Sequence, residues 1–391
     1  MLNGEKQIAR PLRWAMVGGG RLSQVGYKHR TGALRDNTAF QLVAGAFDID
    51  AGRGRDFGIN LGVAAERCYT DYRELFEREA QREEGIEVVT IATPNGTHYE
   101  ISKAALEAGL HVICEKPLFF TSQQAREIKA LAESKGRIIG VTYGYSGHQM
   151  LLQMRQMIAR GDIGEVRMVE MQYTHGFSAS DSADKFEAQK WRVDPAIAGP
   201  SFVLGDLSTH TYYISQLVLP DLKLKSLLCD RQSFIASRAP LEDNAMVMMR
   251  YHGGAVGRLW TSSVNAGCMD AQQIRVIGSK ASLQWCDTQP NELRYEVQNQ
   301  PNQLLHHGMP YLDNAALADD RLGALHTEGL TDAWSNIYLK FALAMDAKNR
   351  GDEAALAAMI YPGIDAGLEG VRWVENCVRS ADSGAVWVNY E

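Results

Sequence analysis

The chain has 391 residues, of which 45% are apolar, 22% charged and 8% aromatic. At ~150 residues per domain that length accommodates two or three domains, and a formal net charge of −7 excludes the broad basic surface of a nucleic-acid binder. The six cysteines are scattered without a C-x-x-C pair, which excludes a disulfide framework and structural zinc and fits reduced thiols in the cytoplasm. Met1 to Arg13 mixes charges of both signs without an apolar stretch, and no run approaches the ~20 apolar residues of a membrane helix. The expected chain is cytoplasmic, with neither nucleic acid nor membrane as partner.

Residues 1–145 alternate short apolar runs with amphipathic stretches, the pattern of a parallel α/β sheet. Strands are expected at Trp14–Gly18, Gln41–Phe47, Val88–Thr93, His111–Cys114 and Ile138–Tyr143. Helices are expected at Asp71–Ala80, His98–Ala108 and Thr121–Lys135, the last with Thr121 as N-cap, and Gly109 and Gly136 stand at C-cap positions. Beyond residue 145 the rhythm changes. A helix at Met150–Arg160 precedes alternating runs at Val166–Tyr173, Lys223–Phe234, Asn244–Tyr251, Ala255–Val264, Ala271–Ile277 and Ala281–Trp285. Gly253-Gly254 and Gly278-Ser279 read as hairpin links in a mostly antiparallel sheet. Helices return at Leu330–Lys348 and Ile364–Ala381. The expected domains are therefore 1–145 and 146–391.

The first strand runs into Val17-Gly-Gly-Gly-Arg-Leu-Ser23. Gly18 suits a sharp turn, Gly20 lets backbone approach a pyrophosphate, and the following helix offers free N–H groups to that anion. Ser23 takes the third glycine's place. A glycine triplet is also an ordinary turn. What favours a dinucleotide site is the apolar strand before it and the carboxylate of Asp48 at the end of the next strand, suited to the ribose hydroxyls. Ile49 follows Asp48, where an arginine would welcome a 2′-phosphate, so NAD is expected rather than NADP. Asp48 lies 28 residues beyond Gly20 instead of ~20, so the crossover carries extra residues, expected around Thr31 to Thr38.

Two further segments bear chemistry. Glu115-Lys116-Pro117 follows a strand whose carboxyl end opens on the ligand crevice of such sheets, although the tripeptide also suits an exposed turn. In Asp206-x-x-x-His210 a helix places the two side chains one turn apart. That pair reads either as a proton acceptor tuned by a carboxylate or as a capped helix with a buried histidine.

Together these residues resemble the glucose–fructose oxidoreductase and inositol dehydrogenase (Gfo/Idh/MocA) family. Ala92-Thr-Pro-Asn-Gly-Thr-His98, Ala108 to Leu118 around Glu-Lys-Pro, and the stretch from Gly363 to Ser380 resemble its segments in the same order. The resemblance implies an N-terminal Rossmann dinucleotide-binding domain and a C-terminal α+β domain with an open, mostly antiparallel sheet. It implies NAD(P)-dependent hydride transfer at a hydroxyl or ketone of a sugar, inositol or related polyol. Lys116, Asp206 and His210 are then the catalytic set. Gly18, Gly20, Arg21, Leu22, Asp48, Thr93, Pro94, Asn95, His98, Glu115 and Lys116 are then the cofactor residues. Tyr145, His148, Trp191, Arg192 and His326 are the substrate-side candidates, and no metal is expected for this chemistry. Departures at Ser23, Ala198-Gly-Pro-Ser201 and Tyr143 to His148 bear on the substrate. A sensor of NAD or sugar without turnover, and a glycoside hydrolase working by transient oxidation, are the alternatives. A homo-oligomer, dimer or tetramer, is expected through the second sheet, where Ala255–Trp260 offers a surface.

Overall fold

Trp14, Ala15 and Met16 are fully buried, and so is almost every residue of the Val88–Ala92 and His111–Cys114 strands. Strands buried on both faces belong to a parallel sheet covered by helices. The computed structural model, which describes residues 2–186, 189–268 and 272–390, builds that sheet from β1 (Leu12–Gly18), β2 (Phe40–Ala46), β3 (Val88–Ala92), β4 (His111–Cys114) and β5 (Ile139–Val141). Its order is β2-β1-β3-β4-β5, all parallel. Because β1 pairs with β2 on one side and β3 on the other, the turn after β1 leaves the sheet where the connections diverge, and ligands of open α/β sheets bind there.

The covering helices are α1 (Gly26–Leu34), α2 (Ala51–Asn60), α3 (Tyr72–Ala80), α4 (His98–Glu107) and α5 (Ser122–Lys135). Their starts are set by side-chain caps. Asp50 and Asp71 accept from backbone N–H groups of α2 and α3, and Thr121 forms a reciprocal capping box with Gln124 before α5, which ends on left-handed Gly136. The extra crossover residues lie elsewhere than expected. Thr31 to Leu34 belong to α1, and an extended turn, Arg21–Val25, precedes that helix.

The chain divides into two compact units, the first comprising Gly4–Thr142 and Trp334–Val371. The sequence places a single boundary after residue 145, whereas here residues 334–371 return to the nucleotide unit. Large aromatic rings account for this. Tyr338 packs edge-on against Phe40 (5.6 Å between ring centres) and Trp14 (6.3 Å), and Phe341 fills the space a side chain at Gly140 would need.

The second unit spans Tyr143–Ala333 and the segment from Arg372 onward. Its nine-stranded sheet has the order β13-β12-β11-β10-β6-β9-β8-β7-β14. The strands are β6 (Val166–Thr174), β7 (Leu224–Gln232), β8 (Asn244–Tyr251), β9 (Val256–Ser262), β10 (Gln272–Gly278), β11 (Ala281–Cys286), β12 (Glu292–Val297), β13 (Gln303–His306) and β14 (Val388–Asn389). Neighbours are antiparallel except β6 and β9, which run parallel. Ala271, expected to begin a strand, lies outside the described residues. Along β8, Ala245, Val247, Met249 and Tyr251 point inward while Met246, Met248 and Arg250 are exposed, the period of two of a half-covered sheet. The inner face meets α6 (Gln149–Ala159) and the helix Thr209–Val218 in one core.

Candidate active site

The glycine turn is shaped by contacts that leave no room for side chains. Gly18 has φ +76°, and a Cβ there would lie 2.5 Å from the Ala92 carbonyl oxygen. A Cβ on Gly20 would lie 2.4 Å from the Phe47 carbonyl oxygen. Both distances fall far inside van der Waals contact, so bare backbone lines the carboxyl ends of β1, β2 and β3. That is the cradle a pyrophosphate requires, and these residues fit an NAD-type dinucleotide. The position demanding the close-packing glycine is Gly26, not Ser23. A Cβ on Gly26 would meet the Gly19 carbonyl oxygen at 2.1 Å, while Ser23 Oγ accepts from the Gly26 N–H at 3.1 Å and supports the first turn of α1. The spacing hides this glycine because the extended turn pushes it three residues beyond its usual place. Arg21 and Leu22 are exposed on that turn, with the Arg21 guanidinium 5.9 Å from the Phe57 ring centre.

Asp48 follows β2 and is largely buried. Arg53 Nε and Nη2 donate to its two oxygens at 2.7 Å each, and the Asp50 N–H adds a third bond. The Arg53 hydrogen bonds hold this carboxyl below its ordinary pKa against the opposing effect of burial. Sequence reading missed Arg53, which sits one turn into α2 and fixes the carboxylate's orientation.

Loops after β3 and β4 carry the next set. Thr93 and Pro94 are half-buried and Asn95 is buried. His98 departs from its expected place among cofactor ligands. Its ring is fully buried, with Nε2 2.9 Å from the Thr93 carbonyl and Nδ1 3.1 Å from that of Pro117. It therefore clamps the Thr93 loop to the lysine loop. Lys116 is half-buried just beyond β4, and its peptide bond to Pro117 is cis.

Glu115 lies beneath that lysine as part of a buried polar chain. His29 Nε2 is 3.1 Å from Glu115 Oε1, Thr142 Oγ1 donates to the same oxygen at 2.6 Å, and the Lys116 N–H donates to Oε2. On its other side His29 Nδ1 meets the Tyr338 hydroxyl at 2.7 Å, which continues to Thr90 and Trp14. Burial pushes the Glu115 carboxyl up, but the His29 hydrogen bond and the charges of His29 and Lys116 outweigh it and hold the pKa at about 2. A carboxyl whose pKa is depressed on folding contributes stability above its unfolded value, near 4.5, and that stability fades as pH falls towards 2. Urea midpoints should therefore drop between pH 5 and 3 in the native chain, and Glu115→Gln should flatten that part of the profile. An identical slope in both would contradict the assignment.

In the other unit, Asp206 lies in a π-helical turn, Leu204–Ser208, that runs into the helix Thr209–Val218 bearing His210. This differs from the regular α-turn expected between the two, and such widened turns recur at functional sites. The buried His210 ring is walled by Tyr145, Tyr143 and Tyr173 at 5.0, 6.0 and 6.3 Å between ring centres. Tyr145 and Tyr173 join hydroxyls at 2.7 Å, and Tyr143 stacks on Tyr213 at 4.7 Å. Arg192 Nε lies 3.5 Å from Asp206 Oδ2, with its guanidinium over the Trp191 ring. Tyr145, Trp191 and Arg192 are thus gathered around Asp206 and His210. His148 is not an edge residue. It is buried against Trp285, and that burial lowers its pKa to about 4, leaving a neutral packing group. His326 is exposed, and its carbonyl accepts from His307. Tyr143 entered the sequence reading only as part of the departing segment up to His148, and Tyr173 not at all, because a single tyrosine near a strand end looks like packing.

Residues 12–143 match the NAD-binding Rossmann fold of the oxidoreductase family that the resemblance pointed to, and residues 155–390 match its C-terminal alpha/beta domain. The chain belongs to the Gfo/Idh/MocA family. Among curated relatives it is 72% identical to the uncharacterized oxidoreductase YfiI of Bacillus subtilis, over 100% of both chains. Among solved structures it is similar to an inositol dehydrogenase homolog from Azotobacter vinelandii complexed with NAD+, at 61% identity, TM-score 0.98 and 100% coverage of both chains. The same homolog complexed with NADH and myo-inositol matches at 60% identity and TM-score 0.96, also over 100% of both chains. As a member of this family the chain is an NAD-dependent dehydrogenase acting on CH–OH groups. Among the described residues no helix is long and apolar enough to cross a membrane.

Proposed function

We propose that this dehydrogenase oxidises a ring hydroxyl of an inositol or closely related polyol, with Lys116, Asp206 and His210 as its catalytic set. The observation that carries this reading is the presence of all three residues, each in a prepared environment, in a chain 60% identical to a homolog complexed with NADH and myo-inositol. NAD, when bound, supplies the hydride acceptor. Gly18 and Gly20 give the dinucleotide its bare backbone seat, with Arg21, Leu22, Thr93, Pro94 and Asn95 along its rim. Asp48, held by Arg53, receives the ribose hydroxyls and opposes a 2′-phosphate.

His210 accepts the hydroxyl proton at an imidazole nitrogen, inside an aromatic wall that excludes water and keeps the ring oriented. The Lys116 ammonium donates to the same substrate oxygen and stabilises negative charge as the O–H bond breaks. Asp206, paired with Arg192, orients the hydroxyl and balances the positive charge on His210 once it is protonated. Glu115 compensates Lys116 from below. Trp191 offers the apolar face of a sugar ring a flat partner, beside the hydroxyl-seeking guanidinium of Arg192. A panel of inositols, aldoses and glycosides with NAD at mildly alkaline pH tests the substrate class. NADH absorbance should rise with inositols, and turnover confined to the aldoses or glycosides would contradict the reading.

The protein acts in the cytoplasm on this view, supported by six free cysteines. The exposed sheet face supports a homo-oligomer. Met246, Met248, Val256 and Met168 are 54%, 54%, 41% and 37% exposed, across neighbouring strands β8, β9 and β6. Light scattering should give a dimer or tetramer, and Met246→Glu with Met248→Glu should reduce its mass. A monomeric native chain would refute this surface.

A further inference from the structure

Apart from the catalytic candidates, the second unit buries an unusual concentration of charge just beyond β13. Asp319, Asp320, Glu328 and Asp332 are 6%, 4%, 6% and 7% exposed, accompanied by Arg321 at 8% and His307 at 6%. Buried carboxylates are costly unless they are hydrogen-bonded or paired with a cation. Three of these side chains converge. One donor atom each from His307, Asp320 and Glu328 lies within 4.8 Å of the others. Donors sit ~2.0–2.4 Å from a bound divalent cation, so two on opposite sides of one ion are at most about 4.8 Å apart.

The hydrogen bonding has already committed the atoms that would not face an ion. His307 Nε2 donates to the His326 carbonyl, and Nδ1, inside a buried ring, has no protein partner. An imidazole whose N–H is held by a backbone carbonyl presents its other nitrogen as a lone pair, the arrangement that orients metal-binding histidines. Glu328 Oε1 accepts from the Arg321 and Leu322 N–H groups at 2.6 and 2.8 Å, and Asp320 Oδ1 accepts from the Gly323 N–H at 2.9 Å. Each carboxylate is thus fixed through one oxygen, leaving Glu328 Oε2 and Asp320 Oδ2 for a ligand. Asn291 pins the Glu328 backbone at both its N–H and its carbonyl, so this loop is held before any ligand arrives.

We propose that His307 Nδ1, Asp320 and Glu328 form a binding site for a divalent transition-metal ion of the zinc or manganese class. One nitrogen and two carboxylate oxygens suit such ions better than magnesium or calcium, which favour all-oxygen shells. The site is structural: it ties the 319–328 loop to the end of β13 and requires no part in hydride transfer. It departs from the sequence expectation of no metal, catalytic or structural, which rests on the lack of a Cys/His cluster and of a carboxylate at ligand spacing from the histidines. His307, Asp320 and Glu328 are 13 and 8 residues apart in succession and meet only in the fold.

The test uses full-length, tag-free protein stripped with a chelator and titrated separately with zinc chloride and manganese chloride. Expected are one equivalent of one of these ions per chain, a rise in Tm on loading, and at least tenfold weaker binding in His307→Gln and in Asp320→Asn. Glu328→Gln extends the series, with NADH affinity as a check that each variant is folded. Binding below a tenth of an equivalent for both ions, or binding unchanged in two folded variants, overturns the site. Should the variants fail to fold, the native chain's stoichiometry and Tm response decide alone.

Discussion

Lys116→Ala and His210→Ala each lower turnover ~10²–10⁴-fold while NADH still binds. The magnitude is that of losing a positioned acid or base from a proton transfer. NADH affinity survives because the backbone cradle around Gly18 and Gly20 involves neither side chain. The folds should survive too. Lys116 sits half-buried beyond β4, where Glu115 keeps its partners His29 and Thr142 without the ammonium. His210→Asn preserves a polar side chain within the tyrosine wall and lacks the proton acceptor, so it should lose activity to a similar degree. Stopped-flow measurement of a single turnover separates a lost chemical step from slow product release. If both alanine variants kept turnover within twofold of the native chain, neither residue would be catalytic.

Gly20→Ala should weaken NADH binding at least tenfold and lower the stability of the chain. The added methyl group would stand 2.4 Å from the Phe47 carbonyl oxygen and 3.5 Å from Asp48 Oδ2. Backbone cannot yield there as the tip of a flexible side chain would, so β1 and β2 must separate at their carboxyl ends. Overpacking of this kind costs ~1–3 kcal/mol. The displaced elements are those that present Asp48 and the open cradle, so the loss falls on cofactor affinity as well as on folding. Fluorescence titration with NADH and thermal unfolding without it separate the two effects. Unchanged affinity in a destabilised variant would show that Gly20 serves packing alone.

Local pattern carried most of the nucleotide unit. Buried apolar runs, Thr121 as a cap and Gly136 as a stop all act within a few residues, which is the range sequence patterns report, whereas Asp71, read as the first helical residue, caps α3 instead. The glycine turn was legible at Gly18 and Gly20. Its third member was not, because five residues, Arg21–Val25, separate Gly20 from the start of α1. Long-range partners were invisible for a different reason. His29 and Tyr338 are joined by one hydrogen bond across 309 residues, and nothing local to either marks the pairing. The same holds for Tyr145 with Tyr173 and for Arg192 with Asp206. His98 and His148 show the converse error. Each was chosen for a side chain that can bind ligands, and each is buried, one clamping backbone carbonyls and the other packing on Trp285. The short strands β12 and β13 were not read: β12 does alternate Leu293, Tyr295 and Val297 with charged residues, while β13 is largely exposed and carries no such pattern.

In the proposed reaction the hydride passes directly from a ring carbon of the polyol to NAD. Its most direct test is mass spectrometry of the NADH formed from myo-inositol deuterated at every ring carbon. The NADH should carry one deuterium and form in proportion to the ketone. No NADH from any inositol, or NADH free of deuterium, would contradict it.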